Sequence, residues 1–225
     1  MGDVASAHVD GPPFLALGDS YTIGEGCSRS ERWPNQLATM LRSRGVAIAD
    51  PLVVAQTGWT TRNLMSAMDK PFSRDDDRDT SLSAPPAFAL VTLLIGVNNQ
   101  YQGRSEQEYA EQFAAILQRA IGFAGERPSR VIVVSIPDWG VTSFAYRCRT
   151  NTAAVARAID RFNAIKQAQA QASGVHYVDI TPISRSISDQ VVSDGLHPNA
   201  LQYAAWMEAV LPAAIQALVQ LQPGL

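Results

Sequence analysis

Cysteine is scarce in this sequence, and long apolar runs are absent. The only two cysteines among the 225 residues, Cys27 and Cys148, are too few to form a metal site by themselves. Two free thiols in a reducing compartment are the simplest interpretation. A disulfide stays an alternative, because both residues can lie in loops on the same side of the sheet. No apolar segment approaches the ~20 residues that cross a bilayer, so we expect no membrane span.

Clustered positive charge is also missing. The chain has 18 Lys and Arg against 21 Asp and Glu, a net charge of −3, and the basic residues are scattered. This distribution excludes the basic patch that is typical of a nucleic-acid-binding protein. Residues 1–13 do not combine a basic flank with an apolar core, so we expect an N-terminal extension rather than a secretory signal. A cytoplasmic location is then the default, with a tag or a trimmed leader as the alternative.

The acidic segment 70–83 lacks the residues of a common calcium site. It contains three adjacent aspartates, Asp75, Asp76 and Asp77, but neither the glycine nor the distal glutamate of a helix-loop-helix calcium loop. A charged run of this kind is predicted to be a solvated surface loop.

Short apolar runs alternate with helical patterns along the chain. The run 88–95 is almost continuously apolar, which indicates burial on both faces, as in a parallel sheet. The alternation predicts one α/β domain over residues 1–225, a doubly wound, three-layer α/β/α fold with its core at about 14–221. Segment 141–150 is predicted to be irregular and 181–193 to be a polar connection. The predicted strands are 14–17, 52–55, 88–95, 131–136 and 176–180; the main predicted helices are 32–45, 60–68, 105–121, 152–172 and 199–221.

Polar or glycine-containing turns follow four of the five predicted strands. The carboxyl ends of parallel strands share one edge of a doubly wound sheet, where ligands bind. This edge gathers Ser20, Gly58 and Asn98 from distant parts of the chain. Gly18, the first residue of the first turn, permits backbone angles that other residues resist. The turns are Gly18-Asp19-Ser20, Gln56-Thr57-Gly58, Gly96-Val97-Asn98 and Pro137-Asp138-Trp139.

The segment Asp194-Gly195-Leu196-His197-Pro198 supplies what a serine at that edge needs for acyl transfer. A serine hydroxyl becomes nucleophilic when an imidazole accepts its proton, and the imidazole needs an acceptor on its other nitrogen. Asp194 and His197 are three residues apart, so their side chains can meet. The Ser20 and Gly58 N–H groups and the Asn98 amide are candidate donors to an oxyanion, at about 3–4 kcal/mol of barrier each.

Each of these residues also has an ordinary structural interpretation. A serine after a strand is, taken alone, more often a turn former than a nucleophile. His197 can simply start the last helix, Asp194 can cap it and Asn98 can stabilise a turn. Their joint occurrence at strand ends, in this order, favours catalysis.

Phosphoryl transfer or nucleotide binding at the same edge is a further alternative. Asp19 and Asp138 end strands there, as metal-binding aspartates can. The chain has no Gly-x-Gly-x-x-Gly sequence and no P-loop, which disfavours this interpretation.

The four blocks resemble those of the GDSL/SGNH hydrolases, serine esterases and lipases on a flavodoxin-like sheet. Gly18-Asp19-Ser20, Gly58, Asn98 and the Asp194–Pro198 segment are similar to the family's four blocks in order. The resemblance implies the strand order 2-1-3-4-5 and no metal or organic cofactor. It also implies a catalytic Ser20, Asp194 and His197, with an oxyanion hole of Ser20, Gly58 and Asn98.

Two residues depart from the family's pattern. Tyr21 stands where the family's name motif has leucine, which should affect the pocket more than the chemistry. Asn99 stands where many members have an aspartate that supports the loop, so the orientation of Asn98 needs to be examined. The chain also lacks Gly-x-Ser-x-Gly, because residue 22 is Thr, so the α/β-hydrolase nucleophile elbow is not the template.

The resemblance implies a small-molecule carboxylic ester as substrate. The absence of a long apolar lid favours short acyl chains, and activity should fall below about pH 6–7, where histidines ordinarily become protonated. Acyl transfer to another acceptor, thioesterase or lysophospholipase activity, and a non-catalytic binding module are the alternatives; the oligomeric state is left open. The residues expected to border the pocket are Tyr21, Trp59, Asn99, Tyr101, Trp139 and Phe144.

Overall fold

Five parallel strands form one sheet in the computed structural model, which describes residues 9–70 and 87–219. The strand order is β2-β1-β3-β4-β5, and every neighbouring pair is parallel. This confirms the fold class and the strand order expected from the sequence. The strands are β1 (Phe14–Gly18), β2 (Leu52–Ala55), β3 (Leu90–Leu94), β4 (Val131–Val134) and β5 (His176–Val178).

Helices surround the sheet in two groups. One group is α2 and α9, with α9 crossing β3, β4 and β5; the other contains α3, α5 and α7, of which α5 packs on β3 and α7 on β4 and β5. The helices are α1 (Ser20–Ile23), α2 (Trp33–Ser43), α3 (Thr61–Ala67), α4 (Val97–Tyr101), α5 (Glu106–Phe123), α6 (Ser143–Arg147), α7 (Thr152–Ala172), α8 (Thr181–Ser186) and α9 (Ala200–Val219).

The central strands are fully buried, as their apolar runs predicted. All five residues of β1 and all five of β3 are buried, whereas the edge strands β2 and β5 are half-buried. Strands β3, β4 and β5 are shorter than expected. Ile95 and Ile136 lie beyond the ladder but remain buried, so their apolar character reflects packing under the turns rather than strand pairing.

Two segments differ from the sequence-based expectation. Segment 141–150, expected to be irregular, contains α6, whose N-cap Thr142 accepts a hydrogen bond from Ala145 N. A five-residue helix is too short to show a helical repeat of apolar residues. Segment 181–193, expected to be a polar connection, begins with α8. The N-terminal extension before residue 9, the acidic run at Asp75, Asp76 and Asp77, and the end of the last predicted helix lie outside the described residues.

Gly18 is required for space rather than for backbone freedom. Its φ is not in the left-handed region, contrary to the expectation. A Cβ atom there would lie 2.0 Å from Thr22 Oγ1 and 2.5 Å from the main-chain oxygen of Leu94. Gly18 also pairs with Ala55 of β2 and Leu94 of β3, so the turns after these three strands leave the sheet at one level.

Cys27 and Cys148 are both free thiols, so the alternative of a disulfide between them does not hold. Within residues 9–70 and 87–219, no helix is long and apolar enough to cross a membrane. The same ranges contain no group of three or more His, Cys, Asp or Glu side chains placed to hold a metal ion.

Candidate active site

Ser20 lies where β1 passes into α1. The side chain of Asp19 caps this helix by accepting a hydrogen bond from Tyr21 N at 3.0 Å. Ser20 is the first residue of α1, so the helix itself provides no acceptor for its N–H group. The side chain is almost buried, and its Oγ lies 3.0 Å from Nε2 of His197.

His197 is held on its other side by Asp194. The distance from Nδ1 to Oδ2 is 2.6 Å, while Oδ1 of the same carboxylate accepts hydrogen bonds from Leu196 N at 2.7 Å and His197 N at 3.0 Å. One carboxylate oxygen therefore closes the turn and the other orients the ring. With the Nδ1 proton directed at Asp194, Nε2 is left as the acceptor for the Ser20 hydroxyl.

The environment of Asp194 favours its ionised form. Partial burial by itself raises the pKa of this carboxyl group, but the hydrogen bonds from the His197 ring and from Leu196 N and His197 N outweigh it. The net result is a pKa below the ordinary value, so the group is a carboxylate at neutral pH. It can therefore stabilise a positive charge on the imidazole ring.

The turn that carries these two residues is fixed at its base. Val192 N donates to His197 O at 2.8 Å, and Val191 and Pro198 form an isolated antiparallel bridge. Gly195 has a φ of +76°, a backbone conformation that residues other than glycine rarely adopt. The sequence Asp-Gly-Leu-His-Pro thus supplies the side-chain cap, the left-handed residue and the end of the turn.

Gly58 and Asn98 follow β2 and β3 and lie beside Ser20. Gly58 has a φ of +82°, and no described residue accepts a hydrogen bond from its N–H group. Asn98 is the second residue of α4, and its Nδ2 donates to Trp59 O at 2.9 Å. An amide nitrogen carries two protons, so one N–H of Asn98 stays available to a ligand.

A pocket of about 210 Å³ opens in front of Ser20 and His197. Trp139 is part of its wall: its Nε1 donates to Gln100 Oε1 at 2.7 Å, and its ring lies 5.2 Å from that of Tyr101 and 6.4 Å from that of Phe144. The lining residues besides Ser20 and His197 are Tyr21, Thr57, Gly58, Val97, Asn98, Tyr101, Trp139, Phe144 and Leu196.

Two residues expected at the pocket border do not line it. Trp59 is half-buried and contributes its main-chain carbonyl to Asn98 instead. Asn99 is buried; its Oδ1 accepts from Thr61 N at 3.0 Å and its Nδ2 donates to Thr61 Oγ1 at 2.7 Å. Asn99 therefore supports the loops rather than facing the pocket.

Three lining residues were not expected from the sequence. Val97 and Leu196 each stand directly before a residue singled out for chemistry, and Thr57 directly precedes Gly58. Their positions beside these residues, within the same short motifs, could have indicated that they line the pocket. Thr57 also donates a hydrogen bond to Glu25, which joins the loop after β2 to the loop after α1.

The two aspartates of the phosphoryl-transfer alternative are buried away from the pocket. Asp138 Oδ1 accepts from Gly140 N at 2.9 Å, and its Oδ2 forms an ion pair with Arg185 Nε at 2.8 Å. Asp19 is fully buried, which raises the pKa of its carboxyl group to about 7. Neither carboxylate lines the pocket, so the geometry does not favour that alternative.

Comparisons with known proteins agree with this architecture. The structure of TesA superimposes with a TM-score of 0.66 and 19% identity, covering 92% of this chain and 99% of that one. A lipase/acylhydrolase from Enterococcus faecalis gives 0.66 and 14%, covering 91% and 95%. Phospholipase A1 from Streptomyces albidoflavus NA297 gives 0.63 and 17%, covering 91% and 98%. At these identities the structural similarity shows the fold.

A search of curated protein sequences found no match. The family described as "GDSL-like Lipase/Acylhydrolase" matches residues 16–205, which include Ser20, Gly58, Asn98, Asp194 and His197. The chain therefore belongs to the GDSL-like lipase/acylhydrolase family of hydrolases.

Proposed function

We propose that the protein hydrolyses carboxylic esters with short acyl chains, with Ser20 as nucleophile, His197 as base and then acid, and Asp194 as the residue that orients His197. One observation carries the proposal: a continuous line of contacts runs from Ser20 Oγ to His197 Nε2 at 3.0 Å and from His197 Nδ1 to Asp194 Oδ2 at 2.6 Å. This is the arrangement that activates a serine hydroxyl.

The reaction proceeds through an acyl-enzyme. His197 Nε2 accepts the Ser20 proton as Oγ bonds to the ester carbonyl carbon, and the carbonyl π electrons move to oxygen. The tetrahedral intermediate then breaks its bond to the alcohol oxygen, which takes the proton from the imidazolium. Water repeats these steps on the acyl-enzyme, with His197 again accepting a proton, and releases the carboxylic acid and free Ser20.

Three donors stabilise the negative oxygen of the tetrahedral intermediate in this proposal. They are the N–H groups of Ser20 and Gly58 and the second N–H of the Asn98 amide. The first two have no acceptor among the described residues, which supports the assignment. Each donor of this kind contributes about 3–4 kcal/mol to lowering the barrier.

The pocket dimensions support a short acyl chain. Its volume of about 210 Å³ is below the range of roughly 300–1,000 Å³ typical of sites for drug-sized ligands. The wall formed by Tyr101, Trp139 and Phe144 is apolar, and the hydrogen bond to Gln100 restrains the indole ring. An acetyl to butyryl group suits this space better than a long chain.

Initial rates on p-nitrophenyl esters from acetate to palmitate test the proposal. Wild type and Ser20→Ala are measured side by side, with thermal unfolding to show that both are folded. We expect wild type to prefer the shorter esters and the variant to be slower by roughly 10⁴-fold or more. Equal rates for the two proteins would show that Ser20 is only a turn residue.

The name of one structural neighbour, phospholipase A1, suggests a second substrate class, a lipid ester with a long acyl chain. The same ester series distinguishes the two classes, because a lipid esterase would favour the palmitate end. Product analysis with added alcohols separates hydrolysis from acyl transfer, since a transferase yields the new ester.

A further inference from the structure

Helix α6 contacts the turn that carries Asp194 and His197. Arg147 Nη2 donates to Asp194 O at 2.5 Å, Phe144 N donates to Gly195 O at 2.9 Å and Ser143 Oγ donates to the same oxygen at 3.2 Å. Two consecutive carbonyl groups of the turn are thus bound by one short helix. The turn is therefore held by another element as well as by its own hydrogen bonds.

The contact is too close for a side chain at position 195. A Cβ atom on Gly195 would lie 2.3 Å from Ser143 Oγ and 2.7 Å from Arg147 Nη1. The guanidinium group and the serine hydroxyl therefore pack directly against the main chain of the turn. Glycine serves both the left-handed φ of this residue and the close approach of α6.

Asp194 depends on this support because it lies at the surface. Its side chain is 41% exposed, and among the residues that the structure describes its carboxylate is bound only by groups of its own turn, Leu196 N, His197 N and the His197 ring. Among the described residues, Arg147 is the one side chain that bonds the main chain of Asp194. Loss of that bond removes the side-chain support of the backbone directly under the carboxylate.

Arginine suits this position better than lysine. While Nη2 binds Asp194 O, Nη1 of the same guanidinium donates to Ser143 Oγ at 3.1 Å, and that hydroxyl donates to Gly195 O. A planar group with donors in a fixed fork can make both bonds at once. A lysine ammonium is a single point and cannot span them with the same geometry.

Helix α6 also forms part of the pocket wall. Phe144 lines the pocket with its ring and binds Gly195 through its N–H group. The same helix thus contacts both the space for the acyl group and the turn that carries the base. We propose that Arg147 is a positioning residue for the ester hydrolysis proposed above. It holds Asp194, and through Asp194 the ring of His197, in position beside the pocket.

The test compares Arg147→Ala with Arg157→Ala on p-nitrophenyl acetate. Arg157 is an exposed residue of α7, so its variant removes the same charge away from the turn. We expect Arg147→Ala to lower kcat between about 10-fold and 100-fold with KM within about twofold, because displacement of catalytic groups affects the transition state more than substrate binding. Arg157→Ala should keep wild-type values.

Two further measurements separate positioning from a loss of folding. Urea unfolding shows whether Arg147→Ala is folded under assay conditions, and Arg147→Gln replaces it if it is not. Added guanidinium chloride at millimolar concentration should raise kcat of Arg147→Ala several-fold and leave kcat of Arg157→Ala unchanged. Arg147→Lys should recover only part of the activity.

The outcomes distinguish this inference from the proposed function. If wild type exceeds Ser20→Ala but Arg147→Ala matches Arg157→Ala in kcat, Arg147 is not a positioning residue and the proposed function stands. If wild type and Ser20→Ala turn over equally, the proposed function fails, and the role of Arg147 fails with it.

Discussion

The side-chain amide of Asn98 donates a hydrogen bond to the main-chain carbonyl of Trp59 over 2.9 Å. This bond connects α4 to the loop after β2, which also carries Gly58. In the proposed mechanism both α4 and this loop contribute donors to the oxyanion. The bond therefore sets the spacing between two of those donors and consumes only one of the two amide protons.

Asn98→Ala removes a donor and the bond between the loops. We expect kcat on p-nitrophenyl acetate to fall by about 10²-fold to 10³-fold with a small change in KM, because the oxyanion exists only after attack. Gln102→Ala is the control, since it removes an exposed amide just after α4. A variant at Asn98 that keeps more than half of wild-type kcat would exclude its side chain from the oxyanion hole.

Asn99 joins α4 to the start of α3 from the buried side, through its hydrogen bonds with Thr61. Asn99→Ala leaves Thr61 N without its acceptor, at a cost of about 1–3 kcal/mol in the free energy of unfolding. Asn99→Asp keeps an acceptor for Thr61 N. It also offers an acceptor to the Thr61 hydroxyl, which donates to Gln112 in the wild-type protein. We expect urea unfolding to show a clear loss for the alanine variant and kcat of the aspartate variant to stay within about fivefold of wild type. Equal stability of the alanine variant and wild type would contradict this role.

Trp139 should set the upper limit of acyl-chain length. Trp139→Ala opens the wall, and each additional buried methylene then contributes about 0.8 kcal/mol. We expect the ratio of kcat/KM for octanoate to that for acetate to rise at least tenfold. Trp139→Phe is the comparison variant, because it keeps one aromatic ring in the wall and loses the second ring of the indole together with its Nε1 donor to Gln100. An unchanged ratio in the alanine variant would place the acyl group elsewhere.

The sequence was informative where local patterns decide the structure. The bounds predicted for β2 and α7 match the structure, because each segment is delimited by turn residues or by a helix cap. The rule that parallel strands share one carboxyl edge places Ser20 at that edge, but not Asp194 and His197, which directly follow no strand. These two residues reach Ser20, 177 positions from His197, because their turn lies just before α9.

Other features were decided by packing that no local pattern records. Asn98 and Asn99 are the same residue type on successive positions of α4, and only the rotation of that helix turns one to the pocket and the other inward. The contact of α6 with the turn at Asp194 was not predicted, because five residues are too few to show a helical repeat of apolar residues. The contact of Arg147 with Asp194 also joins residues 47 positions apart.

Two buried ionisable groups, Asp19 and Lys166, lie close enough for each charge to influence the other. Burial raises the pKa of the Asp19 carboxyl group to about 7, in spite of the hydrogen bond from Tyr21 N and the charge of Lys166. Burial lowers the pKa of the Lys166 amine to about 7, against the charges of Asp19 and Asp179. Asp19 Oδ2 has no hydrogen-bond partner among the described residues, and Lys166 Nζ donates to Val134 O.

These shifts give opposite dependences of stability on pH. For Asp19, the folded protein binds its proton more tightly than the unfolded chain, whose value is 3.8, so stability falls as pH rises from about 4 to about 7. For Lys166, the unfolded chain binds the proton more tightly, with a value of 10.5, so stability rises between about 7 and 10.5. The combined contribution of the two groups is lowest near neutral pH.

Asp19→Asn should remove the first of these dependences. Asparagine keeps an oxygen that can accept from Tyr21 N and does not ionise. We expect the free energy of unfolding of the variant, relative to wild type, to increase by up to about 1.4 kcal/mol for each pH unit between 5 and 7, measured by urea unfolding. Asp10→Asn, at an exposed position, should show no such trend. A difference between Asp19→Asn and wild type that stays constant across this range would mean that Asp19 is already ionised at pH 5, and that the charge of Lys166 overcomes the effect of burial.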